Sequence, residues 1–325
     1  MAILRKGKQK ATRKEIKGNK KGNKKQQDKS ENRLVVLIFR PVWFIYTKEN
    51  WRATVVGDFP ALEHNRAFSY GDGLFESIVF GHGKLLWLQR HLARLFSGAR
   101  QIGLDMPVDH NELSAALEKL ARNHLHSTGA GAVWRIYAFR VSEGRYCPLE
   151  DRACLMLRTE EAPLPYPQQD SSPLRIGVAE QRKVSITRPE VKRMAALDYV
   201  LAAREARMRG WHDALMLNTD GRVVECSSSN IFLVKDKRIL TPSLSEGCLP
   251  GVMRGLVLEE FSSEVGLAPY EQPIGLDECM VADTILLSNA RHGIREVDML
   301  GNTSFNRSGW GKRLQEQLQC KAYLK

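Results

Sequence analysis

The residues of this 325-residue chain that could do chemistry stand in separated segments. One is Lys192, in "PEVKRMAALDYVLAAREARMRG", whose apolar spacing predicts a helix over 189–210. A lysine at the front of an apolar helix is usually a solvated charge with its stem laid along the apolar surface. A lysine partly withdrawn from water is instead a nucleophile toward carbonyl groups. Position alone leaves both interpretations open.

A second segment, "GRVVECSSSNIFLV", places Glu225 between two β-rich runs. A carboxylate near the end of a buried strand needs a partner, because an unpaired buried charge is costly. A salt bridge or a solvated strand end explains Glu225 as well as a catalytic role does. The serines and the asparagine that follow, 227–230, have the composition of a polar turn.

Three further segments could bind an anion or line a site. "EGCLPGVMRGLVLEEF" is a Gly/Pro turn that opens a helix with Val252 and Met253 in its first turn, where free N–H groups attract negative charge. Arg94, in "HLARL", lies on an amphipathic helix, and "NARHGI" (289–294) is a polar loop after a strand. Each feature is common, so none is specific alone.

The elements that must position these residues are strands mixed with helices. β-Branched and aromatic residues predict strands at 132–141 and 153–159, and helical spacing predicts helices over 89–102, 111–125 and 251–265. "ESIVFGHGKLLWL" predicts a hairpin around "GHGK". Because strands and helices do not alternate strictly, the pattern predicts an α+β fold.

Most of the positive charge belongs to the N-terminal segment 1–33. It carries 13 lysines and arginines against 3 acids, so it holds ten of the net charge of +12. With so few large apolar residues it cannot offset the entropy cost of ordering, which predicts a disordered basic tail. The tail is either a dispensable extension, which its composition favours, or a non-specific arm for nucleic acid. A protein that binds nucleic acid through this tail is therefore the alternative to an enzyme.

Composition also bears on domains, compartment and metals. The proline-rich stretch 160–173 predicts a linker between a small domain, 34–159, and a larger one, 174–325.

The most apolar run, 34–46, is shorter than the roughly 20 residues of a membrane span and contains Arg40-Pro41. The six cysteines form no CxxC and stand at no metal-ligand spacing with histidine, which indicates reduced cytoplasmic thiols and no metal site.

Six motifs stand in order from about Arg66 to Phe305: "FSYGDGLFES", "HLARL", the lysine of "VKRMAALDYV", "DALMLNTDGRVVECSSSNIF", "LTPSLSEGCLPGVMR" and "ADTILLSNARHGI". Together they resemble the fold-type IV pyridoxal-phosphate enzymes, the class IV aminotransferase family. The resemblance implies the two-domain α+β fold of that family and the cofactor pyridoxal 5'-phosphate, bound by the larger domain. It also implies a small-molecule substrate and a homodimer.

The resemblance assigns roles to single residues. Lys192 matches the lysine that holds the cofactor as a Schiff base, and Glu225 matches the acid that pairs with its ring nitrogen. Arg145, in "FRVSEGRYC", matches the position that often recognises a substrate carboxylate.

The phosphate site is assigned in the same way. Arg94 and the main-chain N–H groups of Val252 and Met253 match the residues that bind the cofactor phosphate in the family. Asn289 and Ala290 match the loop that closes over it, although many relatives have a hydroxyl residue where this chain has Ala290.

Three activities are common in the family. Branched-chain aminotransferases typically have a tyrosine five residues after the lysine, where this chain has Leu197, and D-amino-acid aminotransferases differ at Phe75 and Cys147. "GDGLF", "ECSSSN", "GVMR" and "NARHGI" favour the third activity, 4-amino-4-deoxychorismate lyase, which forms 4-aminobenzoate and pyruvate in folate biosynthesis. An aminotransferase for branched-chain or D-amino acids is the alternative. Lyases and D-amino-acid enzymes both often have an asparagine where this chain has Ala195, so this residue leaves the substrate open.

Overall fold

The structure is a computed structural model that describes residues 42–47, 50–54, 64–124, 131–166, 172–187 and 189–323. The predicted tail, 1–33, lies outside these residues. The described residues belong to one compact unit, Phe39–Lys325. Within them, no helix has both the length and the apolar character that crossing a membrane requires.

The first half of the chain forms a six-stranded antiparallel sheet with helices on it. The strands are β1 (Val42–Thr47), β2 (Asn50–Thr54), β3 (Gly73–Gly81), β4 (Lys84–Leu85), β5 (Gly131–Arg140) and β6 (Ala153–Ala162), in the order β2-β1-β6-β5-β3-β4. The helices are α1 (Arg66–Tyr70), α2 (Leu88–Gln101) and α3 (His110–His124). The predicted hairpin is confirmed, since His82 and Gly83 both have positive φ in a two-residue turn between β3 and β4.

Helix α2 packs on this sheet through the residues that its spacing predicts. Leu92, Leu95 and Ala99 are buried in one core cluster with Ile78 of β3 and Ile136 of β5. Because these α2 positions recur every three or four residues, they form one apolar face. The opposite face of α2 is free to carry charged residues.

The second half forms two five-stranded sheets. One contains β7 (Arg175–Val178), β8 (Asp213–Leu217), β9 (Val223–Cys226), β15 (Met299–Leu300) and β16 (Thr303–Ser304), in the order β16-β15-β7-β8-β9. The other contains β10 (Asn230–Lys235), β11 (Arg238–Pro242), β12 (Ala268–Gln272), β13 (Thr284–Asn289) and β14 (Gly293–Val297), in the order β12-β11-β10-β13-β14. Leu215 and Val223 of the first share a core cluster with Leu233 and Ile285 of the second.

Five helical segments accompany these sheets: α4 (Leu197–Met208), α5 (Val252–Leu256), a π-helical turn (Val257–Phe261) leading into α6 (Ser262–Glu264), α7 (Leu276–Met280) and α8 (Trp310–Tyr323). Most strand pairs are antiparallel, and helices do not separate every strand. The predicted α+β class is therefore confirmed. The division into domains at 34–159 and 174–325 stays a prediction.

The helix predicted over 189–210 is wrong in its first turns. It begins only at Leu197, as α4. Before it, the chain is extended along the start of β3: Phe75 donates its N–H to the carbonyl of Lys192 (2.9 Å), and Met194 donates to that of Gly73 (2.8 Å). Pairing with a strand overrides the local helical spacing. Lys192 is thus fixed by a strand and not by a helix.

Candidate active site

One cavity of about 450 Å³ lies where β3, β5, β9, the start of α5 and the end of β13 meet. It brings together seven of the eight residues predicted from the sequence: Arg94, Lys192, Glu225, Val252, Met253, Asn289 and Ala290. These residues come from five separate parts of the chain. The eighth, Arg145, does not line this cavity.

Lys192 presents an amine of lowered basicity to the cavity. Removal of the ammonium from water, and next the charge of Arg94, lowers the pKa of Lys192 to about 8, although Glu76 and Glu225 oppose the change. Its Nζ lies 4.4 Å from the ring centroid of Phe75, a contact that favours the charged form. A pKa of about 8 leaves a useful fraction of free amine near neutral pH, so Lys192 can act as a nucleophile or a base.

Glu225, next to the last residue of β9, is buried and fully partnered. Its Oε1 accepts from Lys183 Nζ (2.8 Å) and from the Tyr199 hydroxyl (2.7 Å). Its Oε2 accepts from Asn230 Nδ2 (3.2 Å) and from the N–H of Leu249 (3.1 Å). Burial, and next the charge of Glu225, raises the pKa of Tyr199 well above its usual value, so the phenol keeps its proton and donates it. The expectation that Glu225 needs a partner is confirmed.

Arg94 of α2 is tied to a fully buried acid on β3. It donates to both oxygens of Glu76 (2.7 Å each) and to the carbonyl of Pro250 (3.0 Å). These bonds use three of its five N–H groups, and the described residues accept no other, so two are left for an anion. Burial alone would raise the pKa of Glu76, but the charge and hydrogen bonds of Arg94, helped by His91, lower it to about 2.

His91 completes this corner of the cavity. Its Nδ1 lies 2.7 Å from Glu76 Oε2, and burial lowers the pKa of His91 in spite of that bond. A neutral ring that donates from Nδ1 has a lone pair at Nε2. This Nε2 is buried and has no partner among the described residues, and His91 lines the cavity.

The start of α5 faces the same cavity. Its first-turn N–H groups, those of Val252 and Met253, have no acceptors within the helix. Gly251 precedes them in extended backbone, and a Cβ there would lie 1.9 Å from Oδ1 of Asn230. A glycine is therefore required where this helix start lies against Asn230, and the N–H groups left free there have the chemistry that an anion needs.

The serine run after Glu225 is a fixed loop. Asp213, a buried residue of β8, accepts from the hydroxyls of Ser227 (2.5 Å) and Ser228 (2.7 Å). Asn289 donates to the hydroxyl of Ser229 (3.1 Å). The polar turn predicted at 227–230 is thus held on one wall of the cavity, and Asn289 connects it to the end of β13.

Arg145 and Arg135 have contrasting positions. Arg145 is exposed on a loop after β5, which Arg66 holds by donating to the carbonyls of Gly144 (2.9 Å) and Arg145 (2.5 Å). Arg135, within β5, lines the cavity, and its Nε is buried without a partner among the described residues. Sequence reasoning missed Arg135, although the alternation of strand "AVWRIYAFRV" could have assigned Val133 and Arg135 to one face.

The family model for amino-transferase class IV matches residues 73–300. The chain belongs to the class IV aminotransferase family. This match spans every residue that lines the cavity.

Relatives within the family carry three different activities. The chain is 28% identical over 256 residues to a putative branched-chain-amino-acid aminotransferase of Methanocaldococcus jannaschii, covering 77% of this chain and 87% of that one. It is 27% identical to a D-alanine aminotransferase of Listeria monocytogenes (72% and 80% covered) and 28% identical to an aminodeoxychorismate lyase of Vibrio harveyi (72% and 84% covered). Because the three identities are nearly equal, they do not indicate which of the three activities this chain has.

Solved structures of the family share the fold. 4-Amino-4-deoxychorismate lyase from Pseudomonas aeruginosa superposes with a TM-score of 0.69 at 27% identity, covering 81% of this chain and 97% of that one. An aminotransferase from Brucella abortus, bound to the cofactor PLP, superposes with a TM-score of 0.74 at 21% identity, covering 87% and 99%. The predicted fold-type IV architecture is therefore confirmed, and pyridoxal phosphate is the cofactor of the family.

The chemistry of the cavity fits this cofactor. An aldehyde needs an amine, a ring nitrogen needs an acid, and a phosphate needs free donors. The cavity offers the amine of Lys192, the carboxylate of Glu225, and the two remaining N–H groups of Arg94 beside the start of α5. The unpartnered Nε2 of His91 is a further polar atom on this side.

Proposed function

We propose that this protein is a pyridoxal-phosphate-dependent lyase that converts 4-amino-4-deoxychorismate to 4-aminobenzoate and pyruvate, a cytoplasmic step of folate biosynthesis. The observation that carries the cofactor chemistry is a lysine of pKa about 8 and a buried carboxylate, Glu225, on the walls of one cavity. The reaction is an elimination that needs no oxidant and no second substrate. The two products together contain all the atoms of the substrate.

The seven predicted site residues that line the cavity each take a role in this proposal. When bound, the cofactor supplies a carbonyl carbon for amines and an electron-withdrawing ring. Lys192 would attach to that carbon until the substrate amine displaces it, and the lysine amine released in this exchange would take the proton from the substrate carbon that bears the amino group. The Glu225 carboxylate would pair with the ring nitrogen. The phosphate is bound by Arg94, the N–H groups of Val252 and Met253, and the loop at Asn289 and Ala290.

The residue five positions after Lys192 speaks against the branched-chain aminotransferases. That residue is Leu197, which is 67% exposed and does not line the cavity. A branched-chain aminotransferase with its usual tyrosine would differ there. The phenol that does face the cavity, Tyr199, is two residues further on and is bound to Glu225. An aminotransferase for branched-chain or D-amino acids is the second candidate, favoured by equally similar relatives.

The assay that tests the proposal compares two reactions of the purified protein. In one it receives aminodeoxychorismate, and in the other an L- or D-amino acid with 2-oxoglutarate. Because elimination needs no amino acceptor, we expect 4-aminobenzoate and pyruvate in equal amounts from the first reaction. New keto acid from the second reaction with no 4-aminobenzoate from the first would identify an aminotransferase instead.

Arg135 is the residue that we expect to recognise a carboxylate of the substrate, since it brings a guanidinium to the cavity wall and its buried Nε has no partner among the described residues. Arg135→Leu should raise KM for aminodeoxychorismate by roughly 10- to 100-fold, the effect of losing a charge-assisted hydrogen bond. Cofactor affinity, measured separately, should change little. Arg145→Leu tests the sequence-based prediction in the same assay. A KM for Arg135→Leu within twofold of the wild type would contradict the assignment.

A homodimer is also part of the proposal. Helix α4 buries Ala202 and Ala206 on one side, while Leu197, Val200 and Leu201 are exposed on another. Apolar stripes of this kind mark interaction surfaces, and we assign a second copy of the chain to it. Light scattering in solution should give twice the chain mass of 36.8 kDa; a single chain mass would contradict the homodimer.

The N-terminal tail, residues 1–33, lies outside the described residues. Any nucleic-acid binding through this tail is proposed only as a non-specific activity beside the enzyme reaction.

A further inference from the structure

A fully buried lysine stands behind Glu225. Lys183 lies between β7 and α4, where its N–H donates to the carbonyl of Leu217 (2.9 Å). Its side chain is 0% exposed, and its Nζ donates to Glu225 Oε1 over 2.8 Å. Lysines are almost never buried completely unless they are paired, so the ion pair with Glu225 accounts for this position.

The lysine and a tyrosine together occupy one oxygen of Glu225. The Tyr199 hydroxyl donates to the same Oε1 and also contacts Lys183 Nζ, which lies 4.1 Å from the centroid of the tyrosine ring. The donors at Oε2, from Asn230 and Leu249, are at 3.2 and 3.1 Å. Because longer hydrogen bonds are weaker, Oε2 is the oxygen whose contacts yield most easily to another donor.

Lys183 itself does not face the cavity. Tyr199, Glu225, Asn230 and Leu249 all line it, whereas Lys183 does not. A molecule in the cavity therefore meets Glu225 and not the ammonium behind it. Any effect of Lys183 on chemistry must pass through the carboxylate.

We propose that Lys183 is a positioning residue that holds Glu225 by its Oε1 and so presents the Oε2 of that carboxylate to the ring nitrogen of the cofactor. The ammonium balances the charge of a carboxylate that would otherwise be buried without a cation. Because Lys183 and Tyr199 both donate to Oε1, Oε2 is the oxygen that a molecule in the cavity can contact. This rests on the proposed function, in which Glu225 is the partner of that nitrogen.

Lys183→Met tests the proposal by removing the ammonium and keeping an unbranched side chain. Without the ammonium, Glu225 loses its 2.8 Å partner at Oε1, and nothing but Tyr199 holds that oxygen away from the cavity. We expect the dissociation constant for pyridoxal phosphate, measured by absorbance titration, to rise at least about tenfold, the lower end of the effect of removing an outer partner of a ligating group. Lys312→Met, at an exposed lysine of α8, is the matched control and should bind as the wild type does.

The double variant Lys183→Met/Glu225→Gln separates positioning from a merely structural role. If Lys183 acts only through the charge of Glu225, its removal should change cofactor affinity by less than about twofold when Glu225 is already glutamine. The double variant also has no unpaired charge, so it keeps the test valid if Lys183→Met alone does not fold. A tenfold weaker affinity of the double variant than of Glu225→Gln alone would overturn the proposal. So would a folded Lys183→Met that binds like the wild type.

Failure of this inference differs from failure of the proposed function. A wild-type protein that binds no pyridoxal phosphate would overturn the function. A wild-type protein that binds it, with a Lys183→Met variant that binds equally well, would overturn only the role of Lys183.

Discussion

Lys192→Ala is expected to give a colourless protein that no longer attaches pyridoxal phosphate covalently. The amine of Lys192 is the only one that the described residues bring to the cavity walls, so no neighbouring lysine can replace it. Activity should fall by at least about 10³-fold, within the range for loss of a positioned general base. The measurements are the absorbance of the purified variant and product formation with the substrates named above.

The control for this change is Lys312→Ala, which removes a lysine whose side chain is 70% exposed on α8. It should keep both colour and activity. A Lys192→Ala variant that still held a borohydride-reducible, protein-linked chromophore would contradict the role of Lys192.

The pH dependence of attachment follows from the same amine. Because the pKa of Lys192 is about 8, the uncharged fraction grows roughly tenfold per pH unit below 8 and is nearly complete above it. The rate at which cofactor-free protein attaches pyridoxal phosphate should therefore rise with pH and level off above about 8. A rate that stayed flat from pH 6 to 9 would contradict this.

Arg94→Met is expected to cause the largest loss of stability among the site variants. It removes the main partner of Glu76, whose carboxylate is 0% exposed, and an uncompensated buried charge costs about 3–5 kcal/mol. Urea unfolding at pH 7 measures this loss. Cofactor affinity should fall as well, because the same guanidinium has the two N–H groups left for the phosphate.

The pH dependence distinguishes this cause from general damage to the fold. Since Arg94 holds the pKa of Glu76 at about 2, below the 4.5 of a free glutamate, the pair stabilises the fold above pH 4.5 and loses this contribution as the pH falls toward 2. The stability difference between wild type and Arg94→Met should therefore shrink in that range. A difference independent of pH would contradict the ion-pair account.

Arg90→Met is the matched control on the same helix. Arg90 pairs with Glu259 and Glu260, but its side chain is 36% exposed, and such pairs are worth about 0–1 kcal/mol. The free energy of unfolding of Arg90→Met should therefore be close to that of the wild type. A loss as large as that of Arg94→Met would indicate that any change on α2 is harmful.

Much of the site was predictable because motifs carry information about residues that are distant in the chain. Nothing local distinguishes Lys192 or Arg94 from surface charges, and only the order of six motifs places them together. The cavity then contains seven of the eight predicted residues. The amphipathic helices were predictable for a simpler reason, since their apolar faces repeat at helical spacing.

The residues that sequence reasoning missed act through tertiary contacts. Lys183 and Tyr199 reach Glu225 from 42 and 26 residues away in the chain, and no spacing rule connects them. The apolar spacing that predicts a helix continues through 189–196, whereas pairing with Gly73 and Phe75 makes the segment around Lys192 extended. Strand alternation puts Arg135 on one face with Val133 but does not say that this face lines a cavity, and an arginine in a strand usually faces solvent.

The most direct test of the account is to identify the lysine that carries the cofactor. The purified protein is reduced with borohydride in the presence of pyridoxal phosphate, digested, and its peptides are analysed by mass spectrometry. The account predicts one phosphopyridoxyl group, on the peptide that contains Lys192. A group on any other lysine, Lys183 included, or a protein that carries none, would contradict it.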